Sequence, residues 1–210
     1  MIIRCRIADL IVEVPEAGGL APRLQEYIYA GDGAVDIVIN PDQYNPTIYS
    51  AELSENSLAY LESGRQFLVR LMDFGGFYLH SSSVVYEGRG YLFSADSGTG
   101  KSTHTKIWQQ VFGERAQIFN DDKPALRCID GKWYAYGTPW CGKDGINLNA
   151  KVPLAGICFL KQGRENSIRR LSPPEAFAMC MAQTQRFYKT ENAEKHMLLQ
   201  KTSHLSSKGK

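Results

Sequence analysis

The stretch "LFSADSGTGKSTHTKIW", residues 92–108, sets a β-type apolar run and a helix-type run on either side of a glycine loop. The Walker A pattern is G-x-x-x-x-G-K-S/T. Gly100, Lys101 and Ser102 match its end, and Ala95 stands where its first glycine would be. Gly98 and Gly100 can turn backbone N–H groups inward to form an anion-binding nest. A helix opening at Lys101 adds the positive end of its dipole. Ser97, Gly98, Thr99, Gly100, Lys101, Ser102 and Thr103 therefore make up the expected nucleotide-binding segment. Lys101 would reach the β- and γ-phosphates, and the Ser102 hydroxyl would meet magnesium. Ala95 fits this role if its φ is negative. The plainer alternative is a glycine-rich turn leading into a helix.

Acids follow the loop. "IFNDDKP" puts Asp121 and Asp122 at the end of the next expected strand. Adjacent residues on an extended chain point to opposite faces, so the two cannot share one duty. The expectation is that Asp121 accepts a proton from an attacking hydroxyl while Asp122 stands on the metal side. An Asx-turn or a solvated loop is the alternative.

Composition excludes several classes. Of 210 residues, 43% are hydrophobic and 22% charged, which suits an ordinary globular domain. A net charge of +2 leaves no nucleic-acid footprint. No apolar run reaches membrane-spanning length, and Arg4, Arg6 and Asp9 interrupt any signal-peptide core. Five cysteines without a CxxC, and four histidines without zinc spacing, point to a reduced cytoplasmic protein lacking a structural metal.

Patterning divides the chain into a small α+β region (1–75), a catalytic domain (76–190) and a polar, flexible tail (191–210). In the first, "CRIADLIVEV" and "AVDIVIN" read as strands around a short helix in "LAPRLQEYIY". A helix is expected over 54–73, capped by Ser54. From Phe77, "FYLHSSSVVY" and "YLFSA" form a hairpin across "EGRG". A helix over 103–112 and the strand "AQIFN" follow. "LRCIDGKWYAYG" is a hairpin at Asp130-Gly131, and "LAGICFLKQG" reads as a strand buried on both faces. "SPPEAF" opens a helix with Ser172 as cap and Glu175 completing a capping box. Strand, glycine loop, helix, then a strand ending in acids is the order of a nucleotide-binding α/β unit.

"GYLFSADSGTGKST" followed by "NDD" resembles the catalytic domain of HPr kinase/phosphorylase. The "LHSSSVV", "NDDKPALR" and "GTPWCGK" blocks look closer still to bacterial HPr-kinase-related proteins. The resemblance covers residues 77–178. It implies a phosphoenolpyruvate-carboxykinase-like P-loop fold with a mixed sheet, and ATP or another nucleoside triphosphate with Mg²⁺ as cofactors. Asp121, Asp122, His80 and Lys101 would be catalytic, and Ser102 and Asp122 would hold the metal. A serine on an unidentified protein or peptide would be the acceptor, and a homo-oligomer is implied because related kinases are hexameric. The chain departs from the family at Thr103, where relatives carry a metal-binding Glu. The family's phosphorolysis segment is not recognisable, and relatives continue beyond the "SPPEAF" helix.

His80 reads either as an assistant to the base or as a strand histidine bonded to a carbonyl. In "GTPWCGKDG" (137–145), Lys143 would neutralise the transferring phosphoryl group and Trp140 would pack a nucleotide or substrate edge. Cys141 lacks a partner base, and Arg127 reads as structural. The leading expectation is phosphoryl transfer to a serine or other hydroxyl on a protein or peptide. Transfer to a small molecule and a nucleotide-binding regulatory module without transfer are the alternatives.

Overall fold

A computed structural model describes residues 1–16, 18–40 and 53–184. The expected tail at 191–210 lies outside the described residues. The protein is a mixed α/β structure. Strands β1 (Ile2–Ile7), β2 (Leu10–Pro15) and β3 (Ile37–Val38) form a small sheet. The run "CRIADLIVEV" is thus two strands: Ala8 and Asp9, both at positive φ, turn it back on itself. A 3₁₀ stretch (Gly18–Tyr27) follows.

Helix α1 (Glu55–Leu71) begins at Ser54, whose Oγ accepts the Ser57 N–H at 3.2 Å. It buries Phe67, Leu68 and Leu71. The larger sheet contains β4 (Gly76–Tyr78), β5 (Ser81–Tyr86), β6 (Arg89–Ser94), β7 (Ala116–Asn120), β8 (Ala125–Ile129), β9 (Lys132–Tyr136) and β10 (Lys151–Phe159). Their spatial order is β4-β8-β9-β10-β6-β5-β7, with β10 and β6 parallel and the other pairs antiparallel. β6, β7 and β10 consequently run the same way and end at one edge.

Two expectations are corrected here. "FYLHSSSVVY" is not one strand: β4 pairs with β8, whereas β5 pairs with β6 and β7. The chain changes neighbours at Leu79 and His80, so His80 sits at a crossover instead of within a strand. β10 is central yet mostly only half-buried, because helix α2 (Lys101–Phe112) packs on β5, β6 and β7.

The largest core runs across residue 75. It joins Leu20, Leu24 and Tyr27 with Phe67 and Leu71, and both groups with Tyr78, Tyr136 and Trp140. Polar ties reinforce it. Arg127 donates to Phe74 O (3.2 Å) and Ala8 O (2.6 Å), the structural role expected of it. Asp9 accepts from Tyr136 (2.7 Å) and Lys151 (2.6 Å). Helix α3 (Pro173–Gln183) opens with the expected capping box between Ser172 and Glu175.

Candidate active site at the glycine loop

β6 ends at Ser94, and the loop 95–100 leads directly into α2. Gly98 (φ 80°) and Gly100 (φ 112°) both occupy the left-handed region, which an L-residue rarely adopts. A Cβ on either would meet nothing within 4 Å, so conformation and not crowding demands glycine there. Ala95 keeps a negative φ, the condition its place in the pattern requires. Ser97 is exposed, Thr99 and Ser102 are partly buried, and Thr103 faces solvent.

Lys101 is 8% exposed. Its ammonium folds back across the loop, donating to Ala95 O (2.9 Å) and Asp96 O (3.3 Å). Burial lowers its pKa, although Asp122 and Asp96 pull the other way. A phosphate arriving at the loop would restore the favoured charge. Ser82 and Thr105 share a 2.7 Å hydrogen bond that fixes β5 to α2 just behind the loop.

The two aspartates lie past the end of β7, in a bend and not on an extended strand, and they take different partners. Asp121, 7% exposed, turns toward the loop 137–145, where its Oδ1 accepts the Gly142 N–H at 2.6 Å and the Asp144 N–H also contributes. Burial raises its pKa despite these donors. Asp122 turns toward His80, with Oδ1 3.4 Å from Nε2, and it also pairs with Lys123. Burial holds the His80 pKa down and the Lys101 charge adds to that, against Asp122 and a Gln183 hydrogen bond. His80, Lys101 and Asp122 therefore occupy one corner, while the Asp121 carboxylate is tied to the loop 137–145. The turn around the acids is built by Asn120, whose Oδ1 accepts the N–H groups of Asp122 (3.0 Å) and Lys123 (2.7 Å).

The loop 137–145 comes beside α2 through a 2.8 Å ion pair between Lys106 and Asp144. Lys143 is exposed on it. Trp140 is a correction: instead of offering a face to a ligand, it is fully buried, stacked on Phe67 at 4.8 Å. Its Nε1–H donates to Ser63 Oγ at 3.1 Å. Cys141 is buried with its thiol pushed up to about 11, which makes it inert as expected.

Ser102 and Asp122 offer oxygen donors only, the chemistry that suits magnesium. No cluster of three or more His, Cys, Asp or Glu arranged for a metal occurs among the described residues. No described helix is long and apolar enough to cross a membrane.

Sequence reasoning passed over Gln183 and Asp96. Gln183 Nε2 donates to Asp96 Oδ1 at 2.8 Å, and Gln183 O accepts the His80 N–H at 3.0 Å. The end of α3 thus lies across the loop, a long-range contact without a local sequence signal. No family model matches the chain, and no curated protein matches it either.

Proposed function

We propose that the protein transfers the γ-phosphoryl group of magnesium-bound ATP to a serine hydroxyl on a protein or peptide, as its resemblance to HPr kinase/phosphorylase implies. The supporting observation is that Lys101, on its glycine nest, shares a corner with the His80–Asp122 pair. The nest and Lys101 hold the phosphates, with Ser102 beside them at the start of α2. Magnesium, when bound, offsets phosphate charge.

In this reading Asp122 takes the proton role first assigned to Asp121. Asp121 Oδ1 accepts the Gly142 N–H, whereas Asp122, paired with His80 and Lys123, is the acid that acts on the Lys101 ammonium. Asp122 accepts the serine proton as the serine oxygen bonds to phosphorus and the bond to the leaving ADP oxygen breaks. Labelled γ-phosphate transfer to candidate serine-bearing peptides, read by mass spectrometry for phosphoserine, tests the reading. Rapid ATP hydrolysis with no labelled acceptor overturns it.

A nucleotide-binding module without transfer is the second reading. Thr103 favours it, since a hydroxyl stands where the related kinases carry a metal-binding carboxylate. Nucleotide binding with no turnover would select it.

A further inference from the structure

The turn that carries the two acids does not rest on β7 alone. Asn120 and Thr138, both fully buried, brace it: Asn120 Nδ2 donates to Thr138 O at 3.0 Å, and Thr138 Oγ1 donates to Lys123 O at 2.7 Å. Backbone groups on either side of Cys141 complete the brace. Trp140 O lies 3.5 Å from Asn120 Nδ2, and the Gly142 N–H meets Asp121 Oδ1 at 2.6 Å. The place of Cys141 therefore sets where both flanking groups reach the turn.

Cys141 is held in its turn by residues before the large sheet. Tyr60 of α1 donates its hydroxyl to Cys141 O at 2.9 Å and accepts the Cys141 N–H at 3.0 Å. Burial pushes the Tyr60 pKa up to about 12, which keeps the donated proton in place. Arg23, in the 3₁₀ stretch, donates from Nη1 to the Tyr60 oxygen at 2.6 Å and to Cys141 O at 3.3 Å. That stretch is also tied further along the chain, since Asn147 Nδ2 donates to Arg23 O at 2.7 Å and the Tyr27 hydroxyl to Asn147 O at 2.6 Å.

We propose that Tyr60, backed by Arg23, is a positioning residue for the acid turn and sets Asp122 through Cys141 and Asn120. The consequence for catalysis rests on the phosphoryl-transfer reading; the hold on the turn does not. Asn120 carries the effect onward, because its Oδ1 accepts the Asp122 and Lys123 N–H groups. Misplacing a reacting group by about 1 Å can cost roughly 10²-fold in rate, so a hydroxyl on α1 can govern turnover through this turn.

Tyr60→Phe removes the one oxygen and keeps the ring, over which the Arg23 guanidinium lies at 4.8 Å. In the full chain, NMR hydrogen exchange at the Gly142, Asp122 and Lys123 amides is expected to rise about tenfold. Transfer at saturating magnesium-ATP should slow by about tenfold or more, with ATP affinity unchanged, because Lys101 and the glycine nest lie outside the brace. Arg23→Met leaves the Tyr60–Cys141 bonds in place and should shift the same amides less. Val14→Ala, at a fully buried site in β2, controls for general loosening. Exchange in Tyr60→Phe no faster than in wild type, or than in Val14→Ala at a matched loss of Tm, overturns the positioning role. Raised exchange with undiminished transfer overturns it as well. Should Tyr60→Phe not fold, unchanged exchange in Arg23→Met decides against it. A wild-type protein that transfers no phosphate overturns the proposed function, and the exchange comparison still decides whether Tyr60 holds the turn.

Discussion

His80 Nε2 and Asp122 Oδ1 meet at 3.4 Å, and the backbone fixes both partners: the His80 N–H donates to Gln183 O, and the Ser81 N–H to Asp122 O. The pair is thus set by β5, β7 and α3 together, a rigid placement for a proton-accepting group.

The pair should titrate in a defined direction. Burial and Lys101 keep the His80 pKa below its ordinary 6.5, so the folded protein holds the ring neutral where an unfolded chain begins to charge it. Stability from this group is present above about pH 6.5 and falls as the pH drops below it. NMR titration should give a midpoint under 6.5 in the free protein. Magnesium-ATP should raise that midpoint, because its negative charge offsets Lys101. A free-protein midpoint at or above 6.5 contradicts this account.

Lys101→Ala should cost nucleotide binding roughly 2 kcal/mol or more, since a buried polyanion loses its nearest compensating charge. Without nucleotide, its Tm should stay level or rise, because burial already disfavours the ammonium. Calorimetry and thermal melts measure the two effects. Unchanged affinity would remove the phosphate role.

The acids should fail differently. Asp122→Asn is expected to keep its fold while slowing transfer by about 10²–10⁴-fold at saturating magnesium and nucleotide. Asp121→Asn should weaken the hold on the Gly142 N–H, lower the Tm and increase hydrogen exchange in residues 137–145. The reverse assignment stands if Asp121→Asn slows transfer at unchanged Tm.

Trp140→Ala should destabilise the protein by about 3–5 kcal/mol, measured by denaturant unfolding, because it empties a fully buried ring site. Gly64→Ala should also destabilise, since its Cβ would stand 2.8 Å from Trp140 Cδ1. A Trp140→Ala variant as stable as wild type would mean that the ring is not a core element.

Features governed by near neighbours were legible in the sequence. Ser54 and Ser172 cap helices through residues three positions on, and the hairpin turns at Glu87-Gly88 and Asp130-Gly131 hold positive φ, which Gly88, Asp130 and Gly131 suit by residue type. Gly98 and Gly100 were readable for the same reason. What failed depended on distant partners. β-propensity in "FYLHSSSVVY" does not reveal that the chain changes neighbours at His80. A Gly/Pro-rich loop looks exposed, yet Trp140 passes beneath α1, where Gly64 and Ser63 make room and supply an acceptor. Asp121 and Asp122 sit in a turn that the Asn120 side chain builds, so strand alternation did not set their partners; which of them met His80 depended on where α3 and the loop 137–145 came to rest.

Asp9 sits in the first hairpin and takes its partners from Tyr136 and Lys151, more than a hundred residues later. A nascent chain leaving the ribosome therefore cannot close its opening core until most of it has been synthesised. Until then, Leu10, Val12 and Val14 of β2 remain without their final cover, open to holdase chaperones or to wrong strand partners. Slowing translation after residue 75 should therefore lengthen a vulnerable interval, whereas a pause that comes once residue 151 has left the ribosome should be harmless to that core.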